Sequence, residues 1–118
     1  MVNRLDRVNG EIQKAISESI IYNIQNPKVN NALVTVSKVD ISADFSHAKV
    51  FVSIFPDSVR EEVFNALKTC IPYLSKEVAR KVKLRITPEL HLFMDTSEEY
   101  ASRIDNLLNK ISEGNRND

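Results

Sequence analysis

Two histidines, one cysteine and a run of lysines and arginines are the side chains in this 118-residue sequence whose types could do chemistry. Cys70, the single thiol, falls on an apolar helical stripe, where a small unreactive hydrophobe is the ordinary occupant. His47 opens one strand-like run and His91 lies inside another, and nothing in the sequence places the two together. Spacings such as C-x-x-C or H-E-x-x-H, which bring metal donors to one face, do not occur. Gly10 and Gly114 are the two glycines of the chain, so no glycine-rich loop can cradle a phosphate. Glu61-Glu62 and Glu98-Glu99 open helical patterns, where carboxylates stabilise the helix dipole without catalytic work. This inventory predicts no catalytic residue, no metal and no cofactor.

The basic run is different. Between Lys76 and Arg85 stand Lys76, Arg80, Lys81, Lys83 and Arg85, with Glu77 the one acid among them. Lys76, Arg80 and Lys83 are spaced by four and three, which predicts one helical face. Local acids to pair them are nearly missing, and Lys68 lies just upstream. Clustered cations of this kind bind phosphate by counterion release, without sequence preference; the plain alternative is a solvated helix face. Arg4 and Arg7 form a second, weaker patch. They sit in a first helical turn, where cations oppose the dipole and a phosphate partner would offset it. The whole chain carries 16 basic and 16 acidic residues, so net charge does not mark a nucleic-acid binder. Acids outnumber bases from Glu98 onward, however, and the neutral total hides segregation.

The elements that position these groups follow from periodicity. Leu5, Val8, Ile12, Ile16, Ile20 and Ile24 predict an amphipathic helix from about Asn3 to Ile24, stopped at Gln25-Asn26-Pro27. Ala32 to Ile41 and Ala48 to Phe55 read as an antiparallel hairpin across a polar turn. In the first strand Val34 and Val36 have one parity, and Val39 and Ile41 the other. In the second, Phe51 and Phe55 share a face with Lys49, a potential base-stacking surface or ordinary sheet packing. Ser58 with Glu61 predicts a capping box for the next helix. At Cys70-Ile71-Pro72 that helix must end and another begin, because proline lacks the N–H and bars helical geometry to the residue before it. Val82 to Ile86 fits either a helix end or a strand. Glu89 to Met94 predicts a strand buried on both faces, and Thr96 with Glu99 a capped last helix.

The order is α-β-β-α-α-β-α. A right-handed crossover lays the third strand parallel to the second. Helix–kink–helix between two strands is the nucleus of KH-type folds, so the expectation is α+β, a type II KH-like domain with a small three-stranded mixed sheet and helices on one face. One domain over 1–112 with a frayed polar tail at 113–118 accounts for the length. Hydrophobic content of 42% supports a core. One cysteine, no apolar leader and no membrane-length run predict a cytoplasmic protein.

The chain also resembles the ribosome-binding factor A family from Arg4 to Ile111. The resemblance is carried by Arg4-Leu5-Asp6-Arg7-Val8, Val34 to Ser42, Asp44 to Ser53 with its His-Ala-Lys-Val block, Leu84 to Leu90 with Thr-Pro-Glu-Leu, and Asp95-Thr96-Ser97-Glu98. It implies a type II KH fold and a non-enzymatic factor that needs no small-molecule substrate and no membrane. It further implies binding to the small ribosomal subunit near the ends of its rRNA, and support of rRNA processing, especially in the cold. One departure concerns the kink, where the family looks to Ala-x-Gly and this chain has Cys70-Ile71-Pro72. Proline there removes an N–H that could meet phosphate. Binding then shifts to the side chains Lys68, Lys76, Arg80, Lys81, Lys83 and Arg85, with Arg4 and Arg7 in support, on a protein expected to be monomeric. The competing expectation is a protein-interaction module that uses the exposed sheet face or the last helix.

Overall fold

Asn3 accepts a hydrogen bond from the Asp6 amide at 2.8 Å and so caps the first helix, α1 (Arg4–Glu18). This is seen in a computed structural model, which describes residues 3–95. Val8, Ile12, Ala15 and Ile16 form the buried stripe of α1. The last predicted turns are wider than α-helical: Ser19–Asn23 is a π-helical turn, closed by Ile24 N–H donating to the Ser19 carbonyl at 3.0 Å. It keeps Ile20 and Ile24 in the core and leaves Ile21 and Tyr22 outside. Pro27 does not simply stop the chain. It opens a one-turn helix, α2 (Pro27–Asn30), whose cap Asn26 accepts from the Lys28 amide at 3.0 Å.

The sheet has the order β1-β2-β3. β1 (Leu33–Ile41) pairs antiparallel with β2 (His47–Phe55), and β3 (Glu89–Met94) pairs parallel with β2. The change of parity in β1 has a structural cause. Val36 lies opposite Val52 and Lys38 opposite Phe51, so Ser37 is an extra residue, a β-bulge. Val36, Val39 and Ile41 all face inward as a result. Two side chains of α1 fasten this strand: Gln13 Nε2 donates to the Val36 carbonyl at 2.9 Å, and Asn9 Oδ1 accepts from the Ile41 amide at 2.8 Å. Polar backbone groups on an edge strand are thereby paired rather than left as a template for aggregation.

The hairpin loop is organised by Asp44. Its Oδ1 accepts from the hydroxyls of Ser42 and Ser46, both at 2.7 Å, and from the Ser46 amide at 3.1 Å. That network holds Phe45 at φ 63°, left-handed backbone that a bulky residue seldom adopts.

After β2, a 3-10 turn (Asp57–Val59) leads into α3 (Arg60–Thr69). The predicted Ser58–Glu61 capping box is not formed, because this turn moves the helix start to Arg60 and its cap position to Val59. α4 (Ile71–Lys81) follows after a single residue, Cys70, as the kink requires. Leu67, Leu74 and Val78 carry one apolar stripe across that joint into the core against Val50, Val52 and Ile54. The inner face of the sheet is thus covered by helices and the outer face is open.

β3 departs from expectation. Leu90 is buried, but Phe93 is 42% exposed and Glu89 lies in solvent. As the edge strand of a sheet covered on one side, it has an inner and an outer face instead of being buried throughout. The predicted last helix with its Thr96–Glu99 cap, and the tail, lie outside the described residues.

Candidate nucleic-acid interface

The kink is built from backbone geometry that needs no glycine. Cys70 stands at φ −91° and ψ −3°; its N–H donates to the Leu67 carbonyl and its carbonyl accepts from the Leu74 amide, each at 2.9 Å. Pro72 occupies the first turn of α4, where a missing N–H costs nothing. Cys70 is half-buried and its Sγ contacts the Ala66 carbonyl at 3.5 Å. Both backbone groups of Cys70 are therefore engaged within the helices.

Those cations are not equivalent. Arg80 forms an ion pair with Glu77 at 2.8 Å, and Lys81 lies 3.5 Å from Glu18 and 3.8 Å from Glu77. Pairing acids are thus less scarce here than the local sequence suggests, since Glu77 serves two cations and Glu18 arrives from α1, remote in sequence. The Arg80 guanidinium holds the Glu77 carboxyl below its ordinary range, so this carboxylate stays charged and neutralises its neighbours. Lys83 also departs from expectation. α4 ends at Lys81 with Val82 in extended conformation, so Lys83 does not continue the helical face of Lys76 and Arg80. Residues 83–86 form neither helix nor strand.

Lys76, Lys83 and Arg85 are exposed and make no ion pair among the described residues. Lys68 is exposed on α3, its Nζ 4.8 Å from the centre of the Phe64 ring. Arg4 lies 5.1 Å over the Phe45 ring, and Arg7 is exposed to solvent. The two patches predicted separately meet here: Arg4 and Arg85 line one groove together with Asp44, Phe45, Leu84 and Ile86. Strand pairing of β2 and β3 beside the Asp44 loop brings these distant parts of the sequence to one point.

The outer face of the sheet carries an aromatic pair. Phe51 and Phe93 are stacked with centroids 5.5 Å apart, and Lys38 Nζ lies 5.9 Å over Phe51. Phe55 and Leu33 are exposed as well. One expectation fails outright on this face. His47 and His91 do come together, Nδ1 to Nε2 at 3.0 Å, because they lie on adjacent parallel strands. The crossover predicts the pairing of β2 with β3, but the contact depends on their register, which that rule does not give.

The arrangement defines a type II KH-like domain with a kinked helix pair and, among the described residues, an adjoining set of cations without ion pairs and no assembled nucleophile. Comparison with known proteins is specific. The family profile of Ribosome-binding factor A matches residues 4–108. Ribosome-binding factor A of Caldicellulosiruptor saccharolyticus is 41% identical over 112 residues, covering 92% of this chain and 82% of its own. That of Clostridium botulinum (strain Okra) is 41% identical over 116 residues, covering 98% and 96%. Among solved structures, the crystal structure of ribosome-binding factor A from Thermus thermophilus superposes with TM-score 0.68 at 26% identity, over 78% of this chain and 97% of that one. A Thermus thermophilus homology model fitted into a cryo-EM map of a 30S–RbfA complex gives 0.59 at 28% identity, over 72% and 88%. The chain belongs to the ribosome-binding factor A family.

Proposed function

We propose that this chain is a non-enzymatic factor of the cytoplasm that binds the small ribosomal subunit and supports maturation of its rRNA, including in the cold. The observation that carries the reading is the fold match to a relative placed in a 30S complex, joined to family membership over nearly the whole sequence. Contact is to phosphates, through Lys68, Lys76, Lys83, Arg85 and Arg4, with Arg7 in reach. Arg80 and Lys81 contribute less, because Glu77 and Glu18 already neutralise them. The Cys70-Ile71-Pro72 joint orients the cations and offers no free amide of its own at Pro72.

The test is sedimentation of the protein with isolated small subunits, large subunits and intact ribosomes at several salt concentrations. Binding to small subunits is expected to weaken with salt, each neutralised phosphate adding about 0.7–0.9 to the log–log slope. The combined change Lys76→Glu, Lys83→Glu and Arg85→Glu should abolish most of it, while Arg80→Gln should leave most of it. Salt-independent binding that is lost instead on changing Phe51 and Phe93 would replace this reading with a protein-docking sheet face.

A further inference from the structure

Both histidines of the chain and one glutamate converge at the open end of the β2–β3 pair. His47 Nδ1 lies 3.0 Å from His91 Nε2 and 3.6 Å from Glu89 Oε2, and one donor atom from each residue falls within 4.8 Å of the others. We propose that His47, Glu89 and His91 form a binding site for a borderline divalent transition-metal ion, with Zn2+ as the representative ligand. This proposal stands apart from subunit binding and does not rest on it.

The spacing is the first argument. Donors about 2.0–2.1 Å from a tetrahedral zinc are about 3.3 Å from one another. The two observed separations, 3.0 and 3.6 Å, bracket that value. The third pair, His91 with Glu89, closes within 4.8 Å, so side-chain rotation would bring all three donors onto one ion. Without an ion, the close nitrogens share one ring proton as a hydrogen bond. With one, His47 keeps its proton on Nε2 and His91 on Nδ1, so both facing nitrogens become donors to the metal.

Rigidity is the second argument. His47 is fixed from both sides of its peptide: its carbonyl accepts from the Ser42 amide at 2.8 Å and its N–H donates to Ser42 Oγ at 3.0 Å. Glu89 N–H donates to the Ser46 carbonyl at 2.9 Å, where β3 joins β2. In register, His47 pairs with Glu89 and Lys49 with His91, so all three donors project from one sheet face. Lys49, the next residue on that face, is matched on its other side by Asp40. The site is thus on strands rather than on a loop, which favours a definite geometry.

Donor chemistry selects the ion. Two imidazoles and one carboxylate suit zinc, nickel, cobalt or copper, and not magnesium or calcium, which demand oxygen shells. His47 and Glu89 are exposed, so water completes the coordination.

The experiment uses the full chain without a polyhistidine tag, titrated with Zn2+ near neutral pH and followed by imidazole NMR and by calorimetry. One equivalent should shift the ring resonances of both histidines together, and millimolar Mg2+ should not. His91→Gln and His47→Gln should each weaken binding by at least about 10–100-fold, the loss seen even for residues that only support ligands. Glu89→Gln should weaken it less, and all three substitutions should leave the fold intact by circular dichroism. Cys70→Ser should bind as the parent does. Absence of any ring shift in excess Zn2+, binding retained in the His47→Gln/His91→Gln double variant, or binding lost in Cys70→Ser would each overturn the assignment.

Discussion

Asp44 shows how one side chain can stand in for a glycine. The loop from Ser42 to Ser46 has no glycine, yet the next residue, Phe45, is left-handed. The cost is offset by a carboxylate that accepts three hydrogen bonds at once. Those bonds, led by the Ser46 hydroxyl and then the Ser42 hydroxyl, lower the Asp44 pKa from 3.8 to about 2. A carboxyl depressed in the folded state contributes stability that is fully present above its unfolded pKa and is lost as pH falls through the folded one. Wild-type melting temperature is therefore expected to drop between pH 4 and pH 2 by more than that of Asp44→Asn, which has no proton to take up there (about 3.8 and about 2 bound the window). Thermal unfolding of both proteins across that range measures it. Equal slopes would mean that the loop bonds do not distinguish the charged carboxylate. The same residue lines the groove between Arg4 and Arg85, and its Oδ1 is engaged by the two serines. Neither arginine makes an ion pair among the described residues.

At the scale of elements, the strands and helices were legible because their apolar residues recur with clear periods. The kink was legible because Pro72 enforces it. What stayed hidden depended on a partner from elsewhere in the chain. The β-bulge is the instructive case: Val34 and Val36 against Val39 and Ile41 is a visible break in alternation, and a single extra residue is the physical way to mend it. Ser37 fills that role, its hydroxyl within reach of the Phe51 carbonyl at 3.2 Å and of the Asp95 carboxylate, two acceptors for one proton. Deleting Ser37 should force either Val36 or the pair Val39 and Ile41 to the outer face, abolishing the cooperative unfolding transition. Ser37→Ala keeps the residue count and should cost only about 0.5–1.5 kcal/mol, the ordinary net worth of a hydrogen bond. Urea unfolding separates the two outcomes, and a deletion variant that still unfolds cooperatively with the parent's slope would show that the bulge does not set register. Salt bridges were the other hidden class. Glu18 reaches Lys81 across 63 positions of sequence, a pairing that periodicity within either helix has no means to report.

For the molecule as a whole, net charge is a poor guide because charge is sorted by place. Sixteen cations and sixteen acids cancel in sum, but Glu77 and Glu18 neutralise particular lysines and arginines, and others make no ion pair among the described residues. These last include Arg4 and Arg85, which come from distant parts of the sequence and line one groove. If both reach a single phosphate, removing either should leave the other poorly placed, and the two losses should not add. Residues that share a partner typically show coupling of about 0.5–3 kcal/mol, whereas independent sites add within about 0.3–0.5 kcal/mol. A double-mutant cycle of Arg4→Gln and Arg85→Gln, read as affinity for isolated small subunits at fixed salt, should return a coupling above about 0.5 kcal/mol. The salt slope supplies an independent count, since losing one phosphate contact lowers it by about 0.7–0.9 and losing two by twice that. Coupled arginines should lower it once, whether changed singly or together. Additive losses with two steps in the slope would place Arg4 and Arg85 on separate phosphates, and the groove between them would then be a gap in the contact rather than its centre.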